Sequence, residues 1–286
     1  MEHVKIQEVG PRDGLQNEKA VLSVKQRVEF IELLIGAGLE RIQVGSFVNP
    51  KLLPQMANTS EVLGNLKKHK NVRLSVLVLN EKGLDLAIQA GARHVEMFVS
   101  ASETHSLKNT RMSVIKAVEM ARRVFERAKS VNMSVSAGVM CAFGCEFEGA
   151  IDQEAVERII SSFCEFHPDE ISLADTTGQG HPELLEKMMN RISRLVPTER
   201  ISLHLHDTYG GAEANVMKAL ELGVMMFDSS VGGLGGCPFI PGASGNIATE
   251  RLASLLENRG YFSGVNLEKL KQARIFVTNS LKSLKR

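Results

Sequence analysis

Short apolar runs alternate with longer amphipathic stretches along the whole chain, and this alternation constrains the fold more than any other feature. Eight of the runs have the length and apolar content that are typical of buried strands. They cover residues 4–9, 41–45, 73–79, 94–99, 134–141, 170–174, 201–206 and 225–229. Stretches with helical periodicity cover 25–37, 60–68, 82–90, 113–131, 153–166, 182–195 and 213–222, with two more at 249–258 and 267–284.

Regular alternation over 286 residues predicts an α/β fold, a (β/α)8 TIM barrel with a C-terminal helical extension, in a single domain that spans 1–286. Glycines near helix ends, in Gly36-Ala37-Gly38 and at Gly91 and Gly223, fit left-handed helix caps. A doubly wound sheet is the alternative, but it usually has fewer strands and a glycine-rich phosphate loop after the first strand. Here the first strand continues into Gly10-Pro11-Arg12-Asp13-Gly14, which is not that loop.

The composition excludes several classes of protein. Lys and Arg total 34 against 33 Asp and Glu, so the net charge of +1 gives no strong attraction to nucleic acid or to a membrane surface. No apolar run approaches the roughly 18 residues of a membrane-spanning helix, and a first strand beginning at Val4 leaves no room for a targeting peptide. The cysteines show no disulfide or zinc spacing, which predicts free thiols in a reducing cytoplasm.

Two histidines end the seventh strand, in Leu203-His204-Leu205-His206-Asp207. Side chains alternate along a strand, so both imidazoles share one face, at the end of the barrel where active sites lie. They form half of a divalent-metal site, although a hydrogen-bonded pair without metal has the same pattern. At the end of the first strand, Asp13 could complete the ligand set, and Arg12 is a cation suited to a carbonyl oxygen that becomes an enolate. A surface ion pair is the alternative for these two.

A glycine-rich segment follows the eighth strand, with six glycines between residues 232 and 245. Long loops in compact domains are often lids or binding loops, although a disordered connection is the alternative. In a lid, Cys237 is a candidate acid or base, and Asn246 offers a neutral oxygen ligand. Asp175, which ends the sixth strand, is a candidate acid, base or water-orienting group, or else caps the following turn. Weaker candidates in other strand-end loops are Lys19, Ser46, Asn80, Glu103 and Asn109.

Together these segments resemble the 3-hydroxy-3-methylglutaryl-CoA lyase family of metal-dependent TIM-barrel lyases, over nearly the whole chain. Each matching segment is short, but the combination is highly specific. The segments are 9–18 (Val-Gly-Pro-Arg-Asp-Gly-Leu-Gln-Asn-Glu), 46–51 (Ser-Phe-Val-Asn-Pro-Lys), 54–56 (Pro-Gln-Met), 170–173 (Glu-Ile-Ser-Leu), 175–176 (Asp-Thr), 204–210 (His-Leu-His-Asp-Thr-Tyr-Gly) and 232–246.

The resemblance implies a divalent metal, Mg2+ or Mn2+, held by Asp13, His204, His206 and Asn246. It also implies that Arg12 polarises the thioester carbonyl and that the catalytic loop carries its cysteine at Cys237. The implied catalytic residues are Arg12, Asp13, Asp175, His204 and Cys237, and the implied substrate-binding residues are Arg12, Gln43 and Ser46.

The implied reaction is a retro-Claisen cleavage of 3-hydroxy-3-methylglutaryl-CoA to acetyl-CoA and acetoacetate. The expected partner is therefore an acyl-CoA substrate, with no nucleic-acid or membrane partner. The expected assembly is a cytoplasmic homodimer or higher homo-oligomer, and the expected role lies in leucine degradation and ketone-body formation.

One position departs from the family pattern. The second strand reads Arg41-Ile42-Gln43-Val44-Gly45, where the superfamily usually has a glutamate in place of Gln43. The amide keeps an acceptor oxygen but lacks the charge, which weakens the hold on Arg12 or on a metal-bound water and changes nearby pKa values. Three alternatives follow: the same cleavage of a related branched 3-hydroxyacyl-CoA or hydroxy acid, Claisen condensation in the synthetic direction, and a non-catalytic metal- or CoA-binding barrel.

Overall fold

Eight parallel strands form a closed barrel in chain order in the computed structural model, which describes residues 2–235 and 245–284. The barrel closes because the last strand pairs with the first, with Lys5 opposite Met226 and Glu8 opposite Ser229. Closure removes the unpaired edges that an open sheet would expose. The strands are β1 (Lys5–Glu8), β2 (Arg41–Phe47), β3 (Arg73–Val78), β4 (His94–Ser100), β5 (Ser134–Met140), β6 (Glu170–Asp175), β7 (Ile201–Leu205) and β8 (Met226–Ser229).

The strands are connected by helices, and the described residues include ten α-helices. None of these has the length and apolar character that a bilayer crossing requires. They are α1 (Val24–Gly36), α2 (Thr59–Asn65), α3 (Glu81–Gln89), α4 (Glu103–Thr110), α5 (Val114–Ser130), α6 (Gln153–Cys164), α7 (Pro182–Ile192), α8 (Ala212–Glu221), α9 (Thr249–Asn258) and α10 (Leu267–Ser283). Short turns of other helical types cover Gly10–Gly14, Pro54–Met56, Thr198–Arg200 and Val231–Gly233.

This architecture confirms the predicted (β/α)8 TIM barrel with a C-terminal helical extension, and every strand boundary lies within two residues of its prediction. The expectation that Glu103 and Asn109 lie in a loop is wrong, because both belong to α4. This helix has little apolar periodicity, since only His105 and Ser106 in it are buried. Its start is fixed instead by Ser102, whose Oγ accepts a hydrogen bond from the His105 backbone N–H at 3.1 Å.

Predicted helix-end glycines have the expected left-handed backbone. Gly38, Gly91 and Gly223 have φ angles of 94°, 73° and 84°. A residue with a Cβ pays a steric penalty in this region, whereas glycine does not. Gly36, by contrast, is the last residue of α1 and does not have a positive φ.

The apolar core lies where the strands pack against the helices. All seven residues of β4 are buried, as expected for a parallel strand that is covered on both faces. From the helices, Phe30, Phe125 and Phe163 are fully buried, and the last two meet edge to face with ring centroids 5.8 Å apart. Each such ring contributes about 1.5–3 kcal/mol by burial.

Ion pairs hold the strands together at the N-terminal end of the barrel. Arg73 binds both carboxylate oxygens of Glu170 at 2.7 Å, and Arg41 contacts the same carboxylate. These residues begin β3, β6 and β2. Burial opposes ionisation of Glu170, but the two arginines outweigh it and hold the pKa of this carboxyl well below its usual range. The charges at this end are thus mutually satisfied, which leaves the opposite end of the barrel for chemistry.

Candidate metal centre and active site

The C-terminal ends of two strands bring the predicted metal ligands to one mouth of the barrel. His204 belongs to β7, and His206 follows that strand and pairs with Asn246 in an isolated antiparallel bridge. Alternation along the extended chain turns both imidazoles to the same side. Asp13 comes from the tight turn Gly10–Gly14, which follows β1.

Asp13, His204 and His206 form a compact cluster of donor atoms. One ligand atom from each residue lies within 4.8 Å of the others, and all three residues are buried. Nε2 of His204 is 3.2 Å from Nε2 of His206. Two imidazole nitrogens and a carboxylate form a donor set that binds divalent ions. In the ranges 2–235 and 245–284, this is the only group of three such side chains with that spacing.

Electrostatics around the cluster separate its members. Burial alone would raise the pKa of Asp13, but Arg12 and the two histidines outweigh it and lower the pKa to about 2. Burial, and then the neighbouring His204, lower the pKa of His206 to about 4. The cluster therefore presents a carboxylate and a neutral imidazole at neutral pH, which are the protonation states that a metal requires.

Asp228, on β8, orients His204 from behind. Its Oδ2 lies 3.1 Å from Nδ1 of His204, and the carboxylate is nearly completely buried. Burial opposes protonation of His204, but the hydrogen bond to Asp228 and the charge of Asp13 outweigh it and raise the pKa of the imidazole. With the Nδ1 proton directed at Asp228, Nε2 is left as the nitrogen that faces the cluster. Carboxylates commonly hold metal-binding histidines in this way.

Asn246 contributes the fourth predicted ligand and carries an observation that favours a metal. Its Nδ2 donates to Oδ2 of Asp13 at 2.8 Å and to the Leu234 carbonyl at 3.0 Å. The amide oxygen Oδ1 is buried, and within the described part of the chain it has no hydrogen-bond partner. A buried amide oxygen without a partner is costly, and a cation beside it would satisfy it. The donor set and this oxygen together fit a divalent metal.

Arg12 lies directly beside the cluster. Nη1 donates to Oδ1 of Asp13 at 2.5 Å, and Nε donates to Oε1 of Gln43. The side chain is 8% exposed, so its charge acts in a poorly screened environment. These two bonds fix the plane of the guanidinium and leave its other N–H groups for a ligand oxygen.

Gln43 and Ser46 lie on β2 and are both completely or nearly completely buried. Residues three apart on a regular strand point to opposite faces, but the pairing of β2 with β3 shifts by one residue between Gln43 and Gly45. Gly45 lies against Arg27 and Thr59 on the helix side, so the bulge allows both Gln43 and Ser46 to face the barrel interior. Ser46 Oγ has no hydrogen-bond partner among the described residues.

Asp175 is fully buried at the end of β6. Its Oδ2 accepts a hydrogen bond from the Gly180 backbone N–H at 3.0 Å, so it does close the following turn. Burial raises its pKa to about 6, despite backbone hydrogen bonds that act in the opposite direction. A carboxyl that titrates near neutrality has the property of a proton-transfer group as well. The two readings of Asp175 are therefore compatible.

The predicted catalytic cysteine, Cys237, lies outside the described residues, as do residues 236 and 238–244. The described flanks of this segment reach the cluster. A Cβ added to Gly235, which has a φ of 96°, would lie 2.8 Å from Nδ2 of Asn246 and 2.9 Å from the Asp13 carbonyl. The backbone therefore passes too close to the ligands for any side chain at this position. Cys141 and Cys145, which are free thiols, are buried elsewhere.

Buried carboxylates inside the strands were missed by the sequence reasoning. Glu8 of β1 accepts hydrogen bonds from the backbone N–H groups of Gly10 at 2.8 Å and Val231 at 3.0 Å, and from Oγ1 of Thr249 at 2.7 Å. It thereby ties the turn that carries Arg12 to the loop after β8. Burial raises its pKa to about 7. Asp228 and Glu96 occupy similar positions in β8 and β4. A charged residue in the middle of an apolar run was the available signal.

Known proteins share both the sequence and the structure of this chain. A family model described as HMGL-like matches residues 3–277. The human mitochondrial hydroxymethylglutaryl-CoA lyase is 44% identical over 278 residues, which are 97% of this chain and 86% of that protein.

Two solved structures have the same fold over nearly the full length. The HMG-CoA lyase from Brucella melitensis has a TM-score of 0.95 and 36% identity, and the match covers 99% of this chain and 100% of that chain. An HMG-CoA lyase from Acinetobacter baumannii, in complex with coenzyme A and 3-methylmalate, has a TM-score of 0.93 and 35% identity, covering 98% and 92% of the two chains.

Proposed function

This chain belongs to the HMGL-like family and is a carbon–carbon lyase, and from that premise we propose that it cleaves 3-hydroxy-3-methylglutaryl-CoA to acetyl-CoA and acetoacetate. The observation that carries the proposal is the cluster of Asp13, His204 and His206 with Arg12 ion-paired to it at 2.5 Å. It combines a site for a hydroxy acid with a cation for the carbonyl of a thioester.

Asp13, His204, His206 and Asn246 hold a divalent metal in this proposal, either Mg2+ or Mn2+. When bound, the metal lowers the pKa of the substrate's tertiary hydroxyl and orients its carboxylate. Two imidazoles in the donor set tilt the preference towards Mn2+, because Mg2+ favours oxygen ligands.

The residues divide the proton transfers between the two ends of the reaction. The hydroxyl proton passes to a base, His204 at Nε2 or Asp13 at a carboxylate oxygen, as the C2–C3 bond breaks and the C3 carbonyl of acetoacetate forms. The electron pair of that bond remains on acetyl-CoA as an enolate, and Arg12 donates hydrogen bonds to its oxygen. Carbon C2 then takes a proton from Cys237 or from a water held by Asp175.

Substrate contacts complete the assignment. Ser46 and Gln43 face the interior beside Arg12, and we assign both to the substrate-binding wall. The complex of the Acinetobacter baumannii lyase with coenzyme A supports an acyl-CoA as the partner of this chain. We further propose a single catalytic domain over 1–286, a homodimer or higher homo-oligomer in the cytoplasm, and a role in leucine degradation and ketone-body formation.

The decisive experiment measures acetyl-CoA release from 3-hydroxy-3-methylglutaryl-CoA with and without added Mn2+ or Mg2+. We expect metal-dependent release by the wild-type protein and loss of both metal binding and release in His204→Ala. His69→Ala is the matched control, because this half-buried histidine pairs with Glu32 outside the cluster. Metal bound by the wild type without any release of acetyl-CoA would refute the proposal.

A related branched 3-hydroxyacyl-CoA is the second candidate substrate, and Gln43 is the observation that favours it. The amide gives the substrate-binding wall a neutral donor and acceptor where a glutamate would place a negative charge. A panel of branched 3-hydroxyacyl-CoA thioesters, compared by kcat/KM, decides between the two. A higher value for another thioester than for the glutaryl substrate would replace the first candidate.

A further inference from the structure

A second buried carboxylate lies one hydrogen bond beyond the residues that the reaction uses. Glu96 is the third residue of β4 and is 1% exposed. Its Oε2 accepts a hydrogen bond from Nε2 of Gln43 at 2.6 Å. It contacts neither Arg12 nor the metal ligands by any described hydrogen bond, so any effect on the reaction must pass through an intermediary.

Gln43 is that intermediary, because its two ends bind two different partners. Oε1 accepts the hydrogen bond from Nε of Arg12, while Nε2 donates to Glu96. Gln43 is completely buried, so water does not compete for either end. The three side chains form a chain of hydrogen bonds from the middle of β4 to the turn after β1.

The carboxylate decides which way the Gln43 amide points. Arg12 offers only donors, so it needs the amide oxygen and is repelled by the amide nitrogen. An apolar side chain at position 96 would leave the amide free to turn over and present its NH2 group to Arg12. Glu96 accepts but does not donate when ionised, so it holds the NH2 group on its own side and the oxygen on the side of Arg12.

A second branch joins Glu96 to the other half of the site. Nε2 of Gln7 lies 3.4 Å from Oε2 of Glu96 and 3.3 Å from Oδ1 of Asp228, whose other oxygen binds His204. Nη2 of Arg73 donates to Oε1 of Gln7 at 3.2 Å, which orients that amide in the same manner. Glu96 therefore stands where the supports of Arg12 and of His204 meet.

We propose that Glu96 is a positioning residue for the lyase reaction, which acts through the Gln43 amide to hold the Arg12 guanidinium in the plane that receives the enolate oxygen. The inference rests on the proposed function, since its effect is measured on carbon–carbon cleavage. It also gives a role to the negative charge that position 43 lacks.

Charge removal at Glu96 provides the first test. Glu96→Gln keeps the size but can present either an oxygen or an NH2 group to Gln43. We expect kcat to fall about 10- to 100-fold, the range typical of lost supporting contacts, with KM and Mn2+ affinity near the wild-type values. His94→Gln is the matched control, a buried polar residue two positions away on β4 that should leave kcat unchanged. An unchanged kcat in Glu96→Gln overturns the proposal.

A charge swap provides the second test and separates positioning from a loss of packing. Gln43→Glu alone sets two buried carboxylates 2.6 Å apart, so we expect it to lower kcat as well. The double variant Gln43→Glu/Glu96→Gln restores one acceptor for Arg12 and one donor between the two positions. We expect it to recover most of the wild-type kcat, whereas additive losses overturn the proposal even if Glu96→Gln alone folds poorly.

The two proposals fail differently. If the wild-type protein does not cleave the glutaryl substrate, the proposed substrate is wrong, and the same variants are then compared on the thioester that the substrate panel identifies. If the wild type cleaves and neither the single variants nor the double variant show the expected pattern, only the role of Glu96 is wrong.

Discussion

The carboxylate of Asp13 accepts hydrogen bonds from three neighbours. Arg12 Nη1 at 2.5 Å and Gln16 Nε2 at 2.8 Å bind Oδ1, and Asn246 Nδ2 at 2.8 Å binds Oδ2. Donors on both oxygens fix the plane of the carboxylate and stabilise its charge in a buried position. A single aspartate thereby sets the geometry of the arginine on one side and of the metal ligands on the other.

Replacing Arg12 by lysine tests this geometry at the residue scale. A lysine is a compact charge on a flexible stem and cannot donate to Gln43 and Asp13 at once in a fixed plane. We expect Arg12→Lys to lower kcat by about 100- to 1000-fold, as for loss of a donor to an oxyanion, with a smaller effect on KM. Steady-state kinetics on the cleaved thioester check this. Arg122→Lys, in an exposed pair with Glu126, should match the wild type, and so would Arg12→Lys if its planar fork were unimportant.

At the scale of elements, the chain after each helix determines how closely the next segment can pack. Gly38, after α1, has a φ of 94°, and a Cβ there would lie 2.2 Å from the Gly264 carbonyl oxygen. The Asn266 backbone N–H, at the start of α10, donates to the Ala37 carbonyl at 2.8 Å. The end of α1 thus receives the segment that leads into the C-terminal extension.

Alanine at two glycines separates conformational strain from steric contact. Gly91 also has a positive φ, of 73°, but a Cβ there meets nothing within 4 Å. We expect Gly91→Ala to lower the free energy of unfolding by about 1–2 kcal/mol through its backbone alone. Gly38→Ala should lose about 1–3 kcal/mol more, because Cβ also collides with Gly264. Denaturant unfolding of the two variants measures the difference, and equal losses would contradict the predicted collision.

A histidine at the start of β4 links stability to pH. His94 is buried, and its Nε2 lies 2.9 Å from Oγ of Ser136. Burial, and then the charge of Arg73, lower its pKa from 6.5 to about 3. Unfolding lets this histidine take up a proton below pH 6.5, which the folded protein does not. The stability that it contributes is therefore complete above pH 6.5 and is lost as the pH falls towards 3.

His94→Gln removes this linkage. Between pH 6.5 and 5, the wild type should lose up to about 1.4 kcal/mol of unfolding free energy per pH unit from this group alone. The variant should show a correspondingly shallower decline, measured by denaturant unfolding at each pH. Other groups, such as Glu170, act equally in both proteins and cancel in the difference. Parallel declines would mean that His94 is protonated in the folded state.

At the scale of the whole molecule, the ligand cluster joins segments that are far apart in the chain. Asp13 follows the first strand, while His206 and Asn246 bridge the seventh strand to the segment that returns after the eighth. A metal held by all of them links both ends of the barrel's chain. Because the unfolded chain does not keep these residues together, metal binding should stabilise the folded state.

Mn2+ should therefore raise the thermal stability of the wild-type protein. At 100 times the dissociation constant, the gain is about 2.7 kcal/mol, which raises Tm by roughly 5–10 °C for a chain of this size. His204→Ala should show little or no increase in Tm at the same Mn2+ concentration, and Ca2+ is a useful second ion because it favours oxygen ligands. An equal rise in Tm in the variant would place the bound metal elsewhere.

Local pattern was sufficient for the barrel and for the candidate ligands. The period of two in Leu203-His204-Leu205-His206 requires both imidazoles on one side, and strand–helix alternation requires the strand ends to meet at one mouth. Helix α4 escaped prediction because its hydrophilic sequence has no apolar stripe. The bulge that turns Gln43 and Ser46 to the same side escaped it too, because it depends on the pairing of β2 with β3.

The sequence by itself determined the eight-fold alternation, the caps at Gly38, Gly91 and Gly223, and the set of polar residues at the strand ends, because each follows from contacts within a few residues. Only the tertiary structure decided that Asp228 supports His204 and that Glu96 reaches Arg12 through Gln43. These pairings cross the barrel between strands that are distant in sequence. Their strength comes from burial, and burial exists only once the barrel has closed.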